Sequence, residues 1–312
     1  MRAFAFARPD SIDDVVRRLS DGAVPLAGGT DLLSLMKQGV ERPNELVSLS
    51  GVEALRGVSG SPGRGFRFGA ATPLSEVLAH PGVRRDLPAL VTALEGIGAP
   101  QILSRGSVGG DLLQRPRCWY YRAGFGLLAE KDGRSMVRDG DHRYHAIYGT
   151  EGKALFVHPS SIAPILIALG AEVDVRSVDG SRSMPLEDLY RAPAEAGERE
   201  LTLAPNELLE RVRLPAGRIE HQGVHEVRPL EGLDWPLVSA AIAHGAKGMR
   251  VVLGHVAPVP WRSRAAEAIL SGDRSPDRLR AAAAAAAEEA RPLPGNRYKV
   301  RLVQTAIRRA GG

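Results

Sequence analysis

The sequence predicts an α+β protein built from two α/β subdomains, residues 1–56 and 57–218, followed by a C-terminal α+β domain over 219–312. Three observations carry this. The first fifty residues alternate strand-like and helix-like runs. A Gly/Ser-rich stretch, GVSGSPGRG at 57–65, then breaks the pattern and reads as a subdomain boundary. A second break, PAGRIEHQG at 215–223, precedes strand-like runs and three helical stretches. At 312 residues the chain is long enough for such a division and for a sizeable core.

In the first unit, the run at 3–7 and VPLAGG at 24–29 are expected strands. Between them lies a helix over SIDDVVRRLS at 11–20, capped by Ser11 or Asp10 and carrying acidic residues in its opening turn. A second helix over LLSLMKQG at 32–39 stops before Pro43, and ELVSLS at 45–50 is the third strand. In the second unit, FRFGAAT at 66–72 predicts a strand, and PLSEVLAH at 73–80 and LPALVTALEG at 87–96 predict helices. A glycine loop and a polar excursion at 123–153 follow, then a helix over PILIALG and strands in AEVDVRSV and ERVRLP, each with one solvated face. In the third unit, VHEVRP and MRVVLGHV are strands. The alanine run at 281–287 is ideal helix material and not a disordered tail.

The composition, 44% apolar and 25% charged, is that of soluble globular material. No apolar run reaches membrane-spanning length, so membrane insertion is not expected. MRAFAFARPDSIDD lacks the long apolar stretch and small-residue cleavage site of a secretory signal, which makes the cytoplasm the expected compartment. The net charge of +5, from 41 basic and 36 acidic residues, is spread without a basic block, so nucleic acid is not an expected partner. One cysteine excludes an internal disulfide and any metal site needing several thiolates from this chain.

Two glycine loops share one grammar. PLAGGTDLL at 25–33 sets two glycines between an apolar strand and a helix start near Thr30. There the backbone can turn sharply and approach a phosphate, with free N–H groups and the helix dipole favouring an anion. A plain strand-to-helix turn is the competing reading of this loop alone. RGSVGGDLL at 105–113 repeats the pattern with Ser107 and Asp111 around Gly109 and Gly110, so that two loops can grip one pyrophosphate.

Other candidates fail on context. GFGLLA at 124–129 fits a dinucleotide fingerprint formally, but no apolar strand precedes it and no long helix follows. GTEGKA has the wrong spacing for a phosphate-binding Walker loop. The pairs His142 with His145 and His221 with His225 lack a convincing helix or thiolate cluster, so no metal site is expected. No nucleophile elbow exists, and no catalytic residue is assigned. In HPSSIAP at 158–164 the serine pair either caps the following helix or reaches a ligand, capping being preferred.

Taken together, PLAGGTDLL, GAATPL, IGAPQILSRGSVGGDLLQRPRCWYYR, HPSSIAP and PLPGNRYKVRL resemble the FAD-binding (medium) subunit of the molybdenum hydroxylases. That family includes xanthine, aldehyde and carbon monoxide dehydrogenases, and the motifs occur in the right order from first strand to last helix. The resemblance implies a PCMH-type FAD-binding fold, two α/β subdomains clasping FAD, with a C-terminal domain of the carbon monoxide dehydrogenase flavoprotein type. It implies that Leu26, Ala27, Gly28, Gly29, Thr30, Asp31 and Leu32 form the first pyrophosphate loop, and that Ser107, Gly109, Gly110 and Asp111 belong to the second. Gly98, Ser161 and Leu209 match positions that line the flavin.

Two positions depart from the family pattern. Asp111 stands where the second loop usually ends in Asn, placing a carboxylate that cannot donate as an amide does beside a pyrophosphate. Glu226 falls where many relatives carry Lys. Some relatives also hold a [4Fe-4S] cluster in the loop after the second glycine pair. Here Cys118 matches its first ligand, while Ser135 and Ala154 stand at two others, so Cys118 reads as a relic or packing residue. A reactive thiol favoured by Arg115 and Arg117 is the alternative.

The implied function is electron transfer from a [2Fe-2S] small subunit through FAD to an acceptor, in a hetero-oligomer with a molybdopterin-binding large subunit. A stand-alone flavin oxidoreductase and a noncatalytic nucleotide-binding assembly module are the alternatives. Co-purifying iron-sulfur and molybdenum subunits separate out the first alternative, and a yellow colour the second.

Overall fold

The computed structural model describes residues 1–230 and 234–312. The N-terminal unit runs β1 (Ala5–Ala7), α1 (Ile12–Ser20), β2 (Val24–Leu26), α2 (Leu32–Gln38) and β3 (Glu45–Ser48). Its strands form a parallel sheet in the order β1-β3-β2. Ser11 caps α1, its hydroxyl accepting from the Asp14 amide at 3.3 Å, and Val15, Val16 and Leu19 bury the inner face. Strand β2 ends at Leu26 and α2 starts only at Leu32, which leaves a loop at the carboxyl end of a parallel strand. That is where open α/β sheets bind ligands.

The second unit begins with β4 (Val58–Ser61) and β5 (Gly65–Gly69). The stretch at 57–65 is therefore a β-hairpin and not a structureless break. As the edge strand of its sheet, β4 pairs on one side only, a setting that tolerates its glycine and serines. Helices α3 (Leu74–Ala79), α4 (Pro81–Asp86), α5 (Pro88–Glu95), α6 (Pro100–Arg105) and α7 (Val108–Leu112) follow. Two helices were expected between 73 and 96 and three form. Pro81, Pro88 and Pro100 each sit in the first turn of a new helix, where the missing N–H costs nothing, and Pro81 and Pro88 also end the run before them.

The polar excursion contains a small hairpin, β6 (Glu130–Lys131) with β7 (Arg134–Ser135), and the one-turn α8 (Met136–Asp139). Helix α9 (Ala163–Ala168) is buried throughout. Strands β8 (Glu172–Ser177), β9 (Gly180–Pro185) and β10 (Leu208–Leu214) complete a five-stranded antiparallel sheet, ordered β4-β5-β10-β8-β9. The register of β10 on β8 slips between Leu209 and Arg211. Leu208 thereby packs into the core of the first unit, while Val212 and Leu214 face that of the second.

The C-terminal domain is an antiparallel sheet of β11 (His221–Val227), β12 (Val238–Gly245), β13 (Gly248–Gly254) and β14 (Trp261–Arg262), packed against α10 (Arg264–Leu270), α11 (Pro276–Glu289) and α12 (Tyr298–Gly311). Both faces of β12 are covered. Ala241 and Ala243 join the core of the second unit, and Ala240 and Ile242 join the helical core on the other side. In α11 the buried residues Leu279, Ala282, Ala283 and Ala286 recur at helical spacing, so the alanine run forms a close-packing seam. Lys299 of α12 is buried, and its Nζ donates to the carbonyls of Tyr144 at 2.9 Å, His145 at 3.2 Å and His255 at 2.9 Å. Asn296 adds bonds to the carbonyls of His145 and Ala146.

Three buried imidazoles tie the loops to these cores. Burial pushes His145 down to about 4, His158 down to about 3 and His255 well below its ordinary value, so all three are neutral at pH 7. The unfolded chain takes up their protons near pH 6.5, and the folded chain does not. The stability these three imidazoles contribute is therefore fully present above about pH 6.5 and falls as pH is lowered. Asp111, raised to about 6 by burial, opposes this with one proton bound more tightly by the folded state. Among these four groups the three imidazoles outnumber the one carboxyl, so on their account the unfolded chain binds more protons between about pH 6 and 5. Urea midpoints should drop between pH 6 and 5, and His158→Phe should make the drop shallower by one proton; an equal slope in the variant would contradict the assignment.

Candidate functional site

The first glycine loop follows a strand of the parallel sheet, the second joins α6 to α7, and the two meet backbone to backbone. A Cβ on Gly28 would fall 1.5 Å from the carbonyl oxygen of Arg105, so only a bare Cα permits the approach. Gly29 follows in the left-handed region at φ +75. Among the described residues, the amides of Gly28, Gly29, Thr30, Asp31 and Leu32 donate to no protein acceptor. Five consecutive free donors thus lie in a loop that borders open space.

That space is two cavities. The larger, about 470 Å³, is lined by all of Leu26 to Leu32, by Ser107, Gly109 and Gly110, and by Leu209 at the slip in β10. The smaller, about 360 Å³, is lined by Thr30, Asp31, Gly110, Asp111 and Ser161 together with Gln114, Arg117, Arg228 and Trp235. Thr30, Asp31, Gly110 and Gln114 border both. Of the site residues expected from the sequence, only Gly98 borders neither. It sits at φ +70 between Ile97 and Ala99, which line the smaller cavity.

The second loop differs from its expected role as a donor of free amides. Val108 N–H is bonded to Thr72 O, Gly109 N–H to Ala70 O, Gly110 N–H to Ser107 Oγ and Asp111 N–H to Ser107 O. These four amides are consumed in seating the one-turn helix α7, and only the Ser107 amide of the loop donates to no protein acceptor among the described residues. What this loop offers is Gly110, exposed and without a side chain where the cavities join.

The two aspartates expected to face the pyrophosphate turn their carboxylates into the protein. Asp31 Oδ2 accepts from the Arg115 amide at 2.8 Å, and its Oδ1 accepts from Arg122 at 2.7 Å and Arg117 at 2.9 Å. Arg115 is held in turn by Glu41 and Glu200. Asp111 accepts from the Ser160 hydroxyl and, at 3.1 Å, from Gln114 Nε2. Ser160 Oγ also accepts from the Ala163 amide at 2.9 Å, so it serves the start of α9 and reaches Asp111 at once. Glu226 is buried against Ser161 and ion-paired with Arg228; burial pushes it up and Arg228 opposes the shift. Both departures from the family pattern therefore bear on the serine pair. Sequence reasoning missed Glu41, Gln114, Arg117, Arg199, Arg228 and Trp235 as cavity walls. Only the RPR at 115–117, next to a glycine loop, was a signal.

Cys118 packs with Leu128, Ala154 and Phe156, its Sγ 3.1 Å from His145 Nε2. Burial pushes the thiol up. Arg115 and Arg117 are engaged by carboxylates elsewhere, so the reactive-thiol reading has no support here. Ser135 caps α8, its hydroxyl accepting from the Arg138 amide. Apolar side chains fill the space around Ala154, which does not suit a cluster needing four thiolates. Among the described residues no group of three His, Cys, Asp or Glu could hold a metal. His142 accepts from the Gly295 amide and His221 contacts Ala310 O, both structural roles.

The sequence profile of the FAD binding domain in molybdopterin dehydrogenase matches residues 2–217. The chain belongs to this family. It is 34% identical over 279 residues to the aldehyde oxidoreductase FAD-binding subunit PaoB of Escherichia coli K12, covering 87% of each chain. It is 25% identical to the carbon monoxide dehydrogenase medium chain of Hydrogenophaga pseudoflava, over 98% of this chain and 95% of that one. In fold it matches a carbon monoxide dehydrogenase structure from the same organism at TM-score 0.75 and 24% identity, over 99% and 96% of the two chains. It also matches quinoline 2-oxidoreductase from Pseudomonas putida 86 at TM-score 0.73. The protein is an oxidoreductase flavoprotein subunit of the molybdenum hydroxylase family, and its cofactor is FAD. Free loop amides beside two joined cavities fit such a group. No helix among the described residues is long and apolar enough to cross a membrane.

Asp31 fixes the first loop to the segment after the second, through Arg115, Arg117 and Arg122. Asp31→Ala leaves two guanidinium groups and a buried amide without their acceptor, and should cost about 3 kcal/mol. Urea unfolding of the flavin-free chain reads this directly; a loss under about 0.5 kcal/mol would mean that the arginine cluster does not hold the loops together.

Proposed function

We propose that the chain holds FAD across the two joined cavities, with its pyrophosphate on the amides of residues 28–32. In this reading it passes electrons from a [2Fe-2S] subunit to an acceptor within a hetero-oligomer that includes a molybdopterin-binding subunit. The observation that carries the binding mode is the row of five unpartnered amides in the loop that borders both cavities. Leu26 to Leu32 supply donors, Gly110 keeps the junction open, and Leu209 closes the floor of the larger cavity. Gly98, Ser107, Gly109, Asp111 and Ser161 act through loop shape and wall packing.

Bound isoalloxazine supplies the redox chemistry, taking up an electron pair and giving it out singly or together. The chain's residues orient it, exclude water and set the charge around it. Arg117 and Arg228 line the smaller cavity, each held by a carboxylate, Asp31 and Glu226 respectively, so the wall is close to neutral. The relatives' names describe subunits and medium chains of larger enzymes, which supports a role as one part of a complex. Pull-down from the native host should recover a small iron-sulfur protein and a large molybdenum protein. Turnover of substrate by this chain alone would overturn that assignment. The isolated subunit should carry about one FAD and no iron.

Gly110→Val tests the binding mode. A Cβ there already lies 3.0 Å from Ser107 Oγ, and the branched side chain would extend into the junction of the cavities. Displacing two charge-assisted phosphate bonds, each worth about 1.5–3 kcal/mol, weakens FAD binding by roughly a hundredfold or more. Flavin fluorescence during dialysis measures it. Wild-type retention of FAD by the variant would refute the placement.

A further inference from the structure

Among the described residues, Asp111 is the one buried carboxylate that lines the flavin cavities, and no cation pairs with it. Its Oδ1 accepts from the Ser160 hydroxyl and, at 3.5 Å, from the Ile162 amide, while its Oδ2 accepts from Gln114 Nε2 at 3.1 Å. All three donors are neutral. The charged groups that face it are already paired, Arg117 with Asp31 and Glu226, a second negative charge, with Arg228. Two further titratable groups stand close by. His158 Nδ1 accepts from the Ser160 amide at 3.4 Å, Tyr190 packs on the His158 ring at 4.4 Å, and burial keeps both side chains neutral at pH 7. Asp234, which also lines the smaller cavity, is exposed and screened by solvent. In the free chain the three donors keep Asp111 ionised at pH 7 by a narrow margin, since burial raises it to about 6.

We infer that Asp111 takes up a proton from solvent when FAD binds, so that the loaded site holds it as a neutral carboxylic acid. The inference rests on the proposed placement of the pyrophosphate on the loop at 28–32, where Thr30 and Asp31 border both cavities together with Gly110, the residue next to Asp111. A pyrophosphate diester is a dianion. Set there, it approaches a carboxylate whose charge burial leaves poorly screened, and a like charge at short range favours the protonated form. Arg117 and Arg228 do not offset the excess, because each already cancels a carboxylate. The gained proton has a place to go. Ser160 Oγ accepts from the Ala163 amide at 2.9 Å and keeps a second lone pair for a carboxyl proton on Asp111 Oδ1. The step balances as ionised protein plus FAD plus one proton giving the protonated complex. Asp111 is thus a positioning residue that acts through its charge, and with it neutral the wall of the loaded cavity keeps the charge balance of its two arginine pairs. By linkage, a proton on Asp111 tightens FAD by the same factor as FAD tightens the proton. FAD affinity is therefore greatest below about pH 6 and falls as pH rises through that value, by up to about tenfold per unit, until the bound carboxyl also ionises.

Calorimetric titration of FAD into the flavin-stripped chain at pH 7, run in PIPES and again in imidazole, counts the protons from the difference in heat between buffers of unlike ionisation enthalpy. Uptake of about half a proton or more per FAD is expected, with binding about tenfold or more weaker at pH 8 than at pH 6. In Asp111→Asn the uptake should vanish and the affinity should stay level across that range, with circular dichroism as the check on folding. At pH 8 this variant should bind FAD tighter than wild type by about the same factor. Glu226→Gln removes a neighbouring negative charge, so it should keep the uptake and move its midpoint to lower pH. Wild-type binding without proton uptake, uptake that survives in Asp111→Asn, or uptake lost in Glu226→Gln would overturn the inference. Binding without uptake leaves the flavin site standing, whereas FAD that fails to bind at any of these pH values would overturn both.

Discussion

The contact of Gly28 with the Arg105 carbonyl is the constraint on which the site depends. The first loop hangs from a three-stranded parallel sheet and the second from the end of α6, beside a five-stranded antiparallel sheet. They share a boundary only because no side chain stands between them at 1.5 Å from an ideal Cβ. That approach brings Asp31 within reach of the Arg115 amide and sets Gly110 beside Thr30, where the two cavities join. A larger residue at 28 would part the sheets and open the junction to solvent.

Within that frame the two loops do different work although they share one sequence grammar. The first spends none of its five amides on the protein, whereas the second spends those of Val108, Gly109, Gly110 and Asp111 on Thr72, Ala70 and Ser107. Charge is distributed in the same spirit. Asp31 neutralises arginines, and Asp111 and Glu226 are buried against Ser160 and Ser161, each raised by desolvation and lowered again by its partners. The result is a binding surface made mostly of backbone and apolar contact. That suits a protein whose bound group carries the redox chemistry.

The C-terminal domain contributes walls as well as bulk. Lys299 and Asn296 fix the carbonyls of residues 144–146 and of His255, and with them the Tyr144 and His145 rings that pack on Trp119. Strand β12 transmits this order because both its faces are buried, one on each core. Full burial also explains why the strand went unread. VSAAIA shows no alternation, and a run of small apolar residues is equally good helix.

The sequence by itself determined the order of most elements in the first unit, the α11 helix and its alanine seam, the glycine positions and the family. These depend on local signals: caps, prolines in first turns, apolar periodicity and glycines where a side chain cannot fit. The tertiary structure alone decided which amides stay free, because an N–H is spent or spare only according to what packs beside it. It also decided where Asp31, Asp111 and Glu226 point, since a carboxylate follows whichever donors the fold brings near, and here those lie up to 91 residues away, as with Arg122 and Asp31. The hairpin at 57–65 and the separation of Cys118 from Arg115 and Arg117 belong to the same class. Each is set by contacts between distant segments, which no window along the chain contains.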